Sequence, residues 1–348
     1  MSRRGFDAIL VSQPENRRYL SGFTGSAGFL LVTDQEAVLA TDFRYTEQAT
    51  TQAPNYKIFQ VSGALSAWLP ELIANLDNGR LGFEDRYVTF SLYRQLSNIL
   101  KETLPGLDLI PVEGLLESLR AVKESEEIEL IARAAEISDR AFETVTSTLQ
   151  PGTTEKEVAW LLEKSLREYG SQAIPFDVIV ASGPNAALPH ARPSERGIQS
   201  GEPVVIDMGA RVEGYCSDLS RTICLGTPDN TFKQVYGTVL KAQSAAINSI
   251  KEGMSGHDAD ALARAIIEEA DYGKAFGHAL GHGVGLAEHE EPRLGPNTED
   301  ILKTNMVFSI EPGIYLTGWG GVRIEDLAVM DGGKPRLLSN AKKWIPEV

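Results

Sequence analysis

The chain has 348 residues, of which 42% are hydrophobic and 23% charged, a composition that describes a globular protein long enough for two domains. A net charge of -15 excludes nucleic acid or an anionic membrane surface as the main partner and leaves small peptides, which need no basic groove. No run reaches the apolar length of a membrane span, and the opening stretch MSRRGFDAILVSQ lacks a leader's apolar core because Asp7, Ser12 and Gln13 interrupt it.

To about residue 112, strand-like runs at 8–11, 28–32 and 37–40 alternate with helix-like segments at 65–75 and 91–102. This α/β pattern carries no cluster of His, Asp and Glu, so residues 1–115 are expected to form a first, non-catalytic domain. A long amphipathic helix follows, with Ser125 expected as its N-cap and Glu126 and Glu127 in its first turn. The positions on its inward face, Ile128, Ile131, Ala135, Ser138, Phe142, Val145 and Leu149, step by three and four. The boundary therefore falls within 113–122, and a second domain spans 122–348.

The second domain repeats itself. The long helix ends at Leu149, a GlnProGly turn follows, and Thr154 with Glu157 makes a capping box for a helix that Gly170 stops. Another helix ends near Ile250, LysGluGly follows, and Ser255 leads a second short helix closed near Gly273. The first copy runs on to IleAspMetGly at 206–209 and the second to IleGluProGly at 310–313. An α+β fold with an internal pseudo-twofold duplication is the expectation.

Each copy ends in a pair of acids. A hairpin centred between Val212 and Glu213 sets Asp207 opposite Asp218, and one centred on Gly318 sets Glu311 opposite Glu325. Like charges facing each other across a sheet destabilise it, by several kcal/mol for carboxylates about 4 Å apart at an intermediate dielectric. Two divalent cations would balance these four carboxylates. Oxygen ligands with one imidazole, His282, suit Mn(II), Co(II), Fe(II) or Zn(II), and the excess of oxygen favours Mn(II). Such a pair of metals makes hydrolysis of an amide the natural reaction class. His278, His282 and His289 lie within twelve residues among glycines, and with His190 they are four of the five histidines. His257, beside a helix cap, is assigned no chemistry. Cys216 and Cys224 lie along one strand-like run where a disulfide is geometrically disfavoured, so a reducing cytoplasm is expected. Cys216 is expected to be a packed thiol, with contact to a metal as the alternative.

AspMetGly, GlyTyrCysSerAspLeuSerArgThr, GlyHisGlyValGly, HisGluGluPro, IleGluProGlyIleTyr and GlyValArgIleGluAsp together resemble the M24 metallopeptidases of pita-bread fold, in particular prolidase and aminopeptidase P. The resemblance covers essentially the whole chain, including a creatinase-like N-terminal domain. It implies that Asp207 holds one metal, that His282 and Glu311 hold the other, and that Asp218 and Glu325 bridge them. It further implies that Glu311 is the general base, that His190 and His289 bind the substrate carbonyl and stabilise the tetrahedral intermediate, and that His278 lines a proline pocket. Arg323 and Tyr315 would brace the site, with a plain sheet-surface role as the alternative for either. A homodimer is implied as well.

The function implied is hydrolysis of the bond before proline by a metallo-exopeptidase, with Xaa-Pro dipeptides or short peptides as substrates. Dipeptidase is favoured over an aminopeptidase acting on longer chains. Arg293 discriminates the two, since prolidase-like members place an arginine near this point to pair with the dipeptide's free carboxylate. Its alternative role is a rim arginine neutralising Glu290 or Glu291. Methionine aminopeptidase shares the five ligands without needing the first 112 residues, and creatinase shares the domain plan without using the metal acids. A non-catalytic interaction protein of the same fold would have lost ligands that this chain keeps.

Overall fold

The structure, a computed structural model, describes residues 5–76 and 79–344; Arg3 and Arg4 lie outside the described residues. The chain divides into two compact units, one ending at Leu119 and the other beginning at Arg120.

The first unit is built on a sheet of β1 (Ala8–Val11), β2 (Phe29–Thr33), β3 (Ala37–Asp42), β4 (Lys57–Val61), β5 (Gly79–Glu84) and β6 (Leu107–Val112), in the order β4-β3-β2-β1-β5-β6. The first three strands form an antiparallel meander, and β4, β5 and β6 join in parallel. Parallel neighbours require crossovers, here α2 (Thr46–Gln52) between β3 and β4 and α4 (Phe90–Thr103) between β5 and β6; α1 (Pro14–Ser21), α3 (Leu65–Leu72) and α5 (Leu115–Ala121) complete the unit. All four residues of β1 are buried because both sheet faces are covered. Ala8 and Leu10 pack with Leu69 and Leu96, whereas Ile9 and Val11 pack with Phe23 and Leu116.

The second unit begins with α6 (Ser125–Thr146) and α7 (Glu155–Glu168), followed by β7 (Ile179–Ser182), β8 (Pro203–Met208), β9 (Arg211–Val212), β10 (Tyr215–Cys216) and β11 (Leu219–Cys224). The plan then recurs with α8 (Asn230–Ser249), α9 (Gly256–Glu269), β12 (Gly281–Gly283), β13 (Glu290–Leu294), β14 (Val307–Ile310), β15 (Gly313–Leu316), β16 (Gly320–Arg323), β17 (Asp326–Asp331) and β18 (Lys334–Leu337). Sheets of order β11-β8-β7 and β13-β12-β14-β17-β18 back onto α6/α7 and α8/α9 respectively, each through its own apolar core.

The duplication extends to individual hydrogen bonds. Gly152 and Gly253 both take positive φ, 96° and 82°, and donate to the carbonyls of Ile198 and Leu302 at 2.7 and 2.8 Å. Ile198 and Leu302 return bonds to Thr153 and Met254, both at 2.9 Å. Thr154 and Ser255 then cap α7 and α9 by accepting from the amides of Glu157 and Asp258. Helix α6 differs from expectation at its start, since Glu124 rather than Ser125 is the N-cap and its amide donates to Glu127 at 2.8 Å. A glutamate pair closes the capping box there, and the Ser125 hydroxyl donates to Glu126 instead.

Candidate metal centre

The first hairpin is shifted by one residue pair from its predicted register. Asp207 faces Ser220, Met208 faces Leu219 and Val212 faces Tyr215, which centres the turn between Glu213 and Gly214. These two residues take φ of 44° and 81°. A two-residue hairpin turn of this type needs positive φ at both central positions, which a glycine accepts and the β-branched Val212 would resist. Asp218 consequently lies just before β11, diagonal to Asp207 and two residues from Ser220, so the shift leaves it on the same face. In the second hairpin Ile310 pairs with Asp326 and Gly313 with Arg323, both consistent with a centre at Gly318. Glu311 and Glu325 occupy the gap between those two ladders. Their amides go to different strands, Glu311 donating to Leu280 at 2.8 Å and Glu325 to Ser220 at 3.0 Å.

Asp218, His282 and Glu325 each present one ligand atom within 4.8 Å of the others, a group that could hold a metal ion. His282 Nε2 lies 3.2 Å from Glu311 Oε1 and 3.6 Å from Asp218 Oδ2, while its Nδ1 faces the Gly283 carbonyl at 3.1 Å. That second contact holds a proton on Nδ1 and aims Nε2 at the carboxylates, the orientation a metal ligand needs once Nε2 has given up its own proton. Asp207 accepts from Arg323 at 2.6 Å through one oxygen. Its other oxygen and Glu325 Oε1 are buried without a hydrogen-bond partner among the described residues. Buried acceptors left bare cost free energy, and a cation is what this donor set lacks. The residues present therefore fit divalent metal.

Electrostatics carries the same mark. Burial and the charges of Glu325, Asp207 and Glu311 push the Asp218 carboxyl well above the usual range, and burial with Glu311 and Asp207 does so for Glu325. Burial also works to raise Glu311, but the hydrogen bond and charge of His282 outweigh it and bring Glu311 to about 2. For His282, burial lowers the pKa and the Glu311 contact more than reverses it.

Around this cluster Arg323 donates to Asp207, to Tyr315 Oη at 2.8 Å, to Ser220 Oγ at 2.7 Å and to the Pro189 carbonyl at 3.3 Å. It is thus no sheet-surface residue. Tyr315 Oη also meets His278 Nε2 at 2.9 Å, and His278 Nδ1 meets the Ala279 carbonyl at 2.8 Å, so both ring nitrogens are engaged. Burial lowers the His278 pKa and keeps the ring neutral, edge-on to Phe276. The His289 ring centroid is 4.1 Å from that of His282, and His190 is exposed, one residue after the carbonyl that Arg323 holds. Cys216 is away from the acid group, packed with Val284, Val307 and Leu327, and burial pushes its thiol up to about 11.

Arg293 is the direct cross-strand partner of His282, which sets the two side chains on one face of the β12–β13 pair. The alternative role anticipated for it does not hold for Glu290. That carboxylate is buried between Arg120 and Lys123, the latter at 2.6 Å. Arg293 is exposed and makes no ion pair among the described residues. Sequence reasoning passed over Ser309, whose hydroxyl donates to Glu311 at 3.0 Å and accepts from the His282 amide at 3.1 Å. It also passed over Ser220, whose hydroxyl accepts from Arg323. The available signal was a polar side chain at an apolar position of a strand or helix.

Residues 129–331 match metallopeptidase family M24, and residues 1–122 match the creatinase/prolidase N-terminal domain. The Xaa-Pro dipeptidase of Pyrococcus furiosus is 36% identical over 99% of this chain and 97% of its own length. An Xaa-Pro dipeptidase structure from Bacillus anthracis superposes with a TM-score of 0.93 at 41% identity, covering 99% of this chain and 96% of that one. An X-Pro aminopeptidase structure from Thermotoga maritima gives 0.88 at 37% identity, with coverage of 99% and 98%.

Proposed function

This chain belongs to metallopeptidase family M24, and from that membership we propose that it is an Xaa-Pro dipeptidase, cleaving the amide bond to the proline nitrogen of dipeptides with the help of two divalent metal ions, Mn(II) by preference and Zn(II) or Co(II) as alternatives. Asp207 would hold one ion, His282 and Glu311 the other, with Asp218 and Glu325 between them. Bound there, the metals supply charge neutralisation, polarisation of a carbonyl and a water of lowered pKa. The remaining chemistry belongs to side chains. Glu311, a carboxylate already ionised in the metal-free site, accepts a proton from the attacking water and delivers it to the departing proline nitrogen. Water oxygen adds to the carbonyl carbon to give a tetrahedral intermediate, and its collapse restores the carbonyl as the carbon–nitrogen bond breaks and the nitrogen takes the proton. His190 and His289 stabilise the oxyanion of the tetrahedral intermediate, and the His278 ring, its nitrogens already satisfied, offers an apolar edge to the proline ring.

The observation that carries the dipeptide reading is Arg293, exposed, without an ion pair among the described residues, and on the same face as His282. A guanidinium one cross-strand step from the metal cluster is within reach of a carboxylate on the substrate's C-terminal residue. The Thermotoga maritima relative gives the second reading, an aminopeptidase acting on longer Xaa-Pro chains. Rates on Xaa-Pro, Xaa-Pro-Yaa and a longer Xaa-Pro peptide, with Mn(II), Co(II) and Zn(II) in turn, separate the two. Fastest turnover on the dipeptide is expected; preference for the tripeptide assigns the aminopeptidase, and no hydrolysis with any metal removes both. We further propose a cytoplasmic homodimer, which sedimentation of the metal-loaded protein tests.

A further inference from the structure

Helix α8 packs its apolar face into the second unit through Val239, Ala242 and Ala246, all fully buried, and among them sits a fully buried amide, Gln243. Its Nε2 donates to the carbonyl of Ile310 at 3.0 Å, to the carbonyl of Ile324 at 3.1 Å and to Asp326 Oδ2 at 3.2 Å. Ile310 and Ile324 are the residues immediately before Glu311 and Glu325. At this step the β14–β17 ladder has stopped and the β15–β16 ladder has not begun, because the two glutamate amides are drawn to Leu280 and Ser220 instead. The hairpin is thus loosely paired where both acids emerge, crossed by one long bond of 3.4 Å from the Ile324 amide to the Pro312 carbonyl, and one carboxamide spans the step. Both main-chain acceptors are carbonyls, so only the amide's NH2 end can face them. An apolar residue would fit this helix face and leave two carbonyls without that donor.

The first half of the unit has its own version. Ser138 of α6 shares a hydrogen bond of 2.8 Å with Ser217, whose hydroxyl accepts from the Ala210 amide at 2.9 Å, in the gap between the β8–β11 and β9–β10 ladders and next to Asp218. Each long helix therefore lends one polar side chain to the step of its hairpin from which an acid projects.

We propose that Gln243 is a positioning residue for the metal centre, setting the spacing of Glu311 and Glu325 by bridging the two carbonyls that precede them. The inference rests on reading the acidic cluster as a metal site. Its test is the affinity of the metal-free, full-length protein for Mn2+ and Zn2+, measured by calorimetric titration for wild type, Gln243→Met and Val239→Ala. Val239→Ala removes buried volume from the same helix face and the same apolar core without removing a polar contact to the hairpin, and so reports a loss of packing alone. The expected result is a fall in affinity of about 10- to 100-fold for Gln243→Met, the range usual when a group orienting a ligand is lost, and under about twofold for Val239→Ala, with both variants less stable than wild type. Equal affinities for Gln243→Met and wild type overturn the inference and leave the proposed function intact, as does an equal loss in both variants. A wild type that binds neither ion overturns both. If Gln243→Met does not fold, Gln243→Asn keeps the amide, shortens its reach by one methylene, and is read against the same limits.

Discussion

Glu311 lies at the meeting point of three contacts, the Ser309 hydroxyl at 3.0 Å, His282 Nε2 at 3.2 Å and its own amide bond to Leu280, which leave its carboxylate fixed and ionised. Glu311→Gln removes a ligand charge and the proton acceptor together, so kcat should fall by at least about a thousandfold while KM changes little. A variant within tenfold of wild type would assign the proton to another group. Arg293 answers a different question. If it pairs with the dipeptide carboxylate, Arg293→Ser loses a charge-assisted contact of about 1.5 to 3 kcal/mol, a drop of roughly 10- to 150-fold in kcat/KM on Xaa-Pro. Xaa-Pro-Yaa rates should hardly move, and equal losses on both substrates would make Arg293 a structural residue. These acids and the histidines were legible in the sequence because charge interrupting an apolar strand has few innocent explanations. Ser220, Ser309 and Gln243 were not, since a single hydroxyl or amide in an apolar run reads as a tolerated exception until its partner is seen.

At the scale of elements, the caps of the two shorter helices followed from local chemistry, since Thr154 with Glu157, and Ser255 before α9, bond as their spacing predicts, whereas α6 is capped by Glu124 and not by Ser125. The register of the first hairpin did not. It depends on which residues accept positive φ, and counting from the acids placed the turn one step early, on Val212 instead of Gly214. Alternation along the strand protected the conclusion, because a shift of one pair returns Asp218 to the same face. Long-range pairing was the other blind spot. Arg120 in the last turn of α5 and Lys123 in the segment that follows it both end on Glu290, some 170 residues away, with all three side chains at most 3% exposed. Neutralising an anion that two buried cations share is costly, so Glu290→Gln should lose about 3 to 5 kcal/mol in denaturant unfolding. A loss under about 1 kcal/mol would mean that both cations find other partners once Glu290 is neutral.

The whole chain carries a net charge of -15, and the second unit concentrates four carboxylates around one imidazole, so its stability is tied to what neutralises them. In the metal-free protein the raised Asp218 and Glu325 contribute stability below the ordinary carboxylate pKa and lose it as pH rises through their folded values. His282, also raised, loses its contribution in the same direction above its unfolded value of 6.5. Glu311 at about 2 is ionised in both folded and unfolded chains throughout the neutral range and adds no slope there. His278 and His289, both lowered chiefly by burial, act oppositely, and neither is assigned to a metal. Binding a cation must expel the protons held by Asp218, Glu325 and His282, which makes the stabilisation by metal grow with pH. At a hundredfold excess over Kd the ion adds about 2.7 kcal/mol, or roughly 5 to 10 °C in Tm for a unit of this size. The rise on adding Mn2+ at one fixed concentration should therefore be clearly larger at pH 8 than at pH 6, read by calorimetric melting of the stripped and reloaded protein. Equal rises at both pH values would mean that the acids are already ionised in the empty site, and no rise at either would remove the metal from the fold altogether.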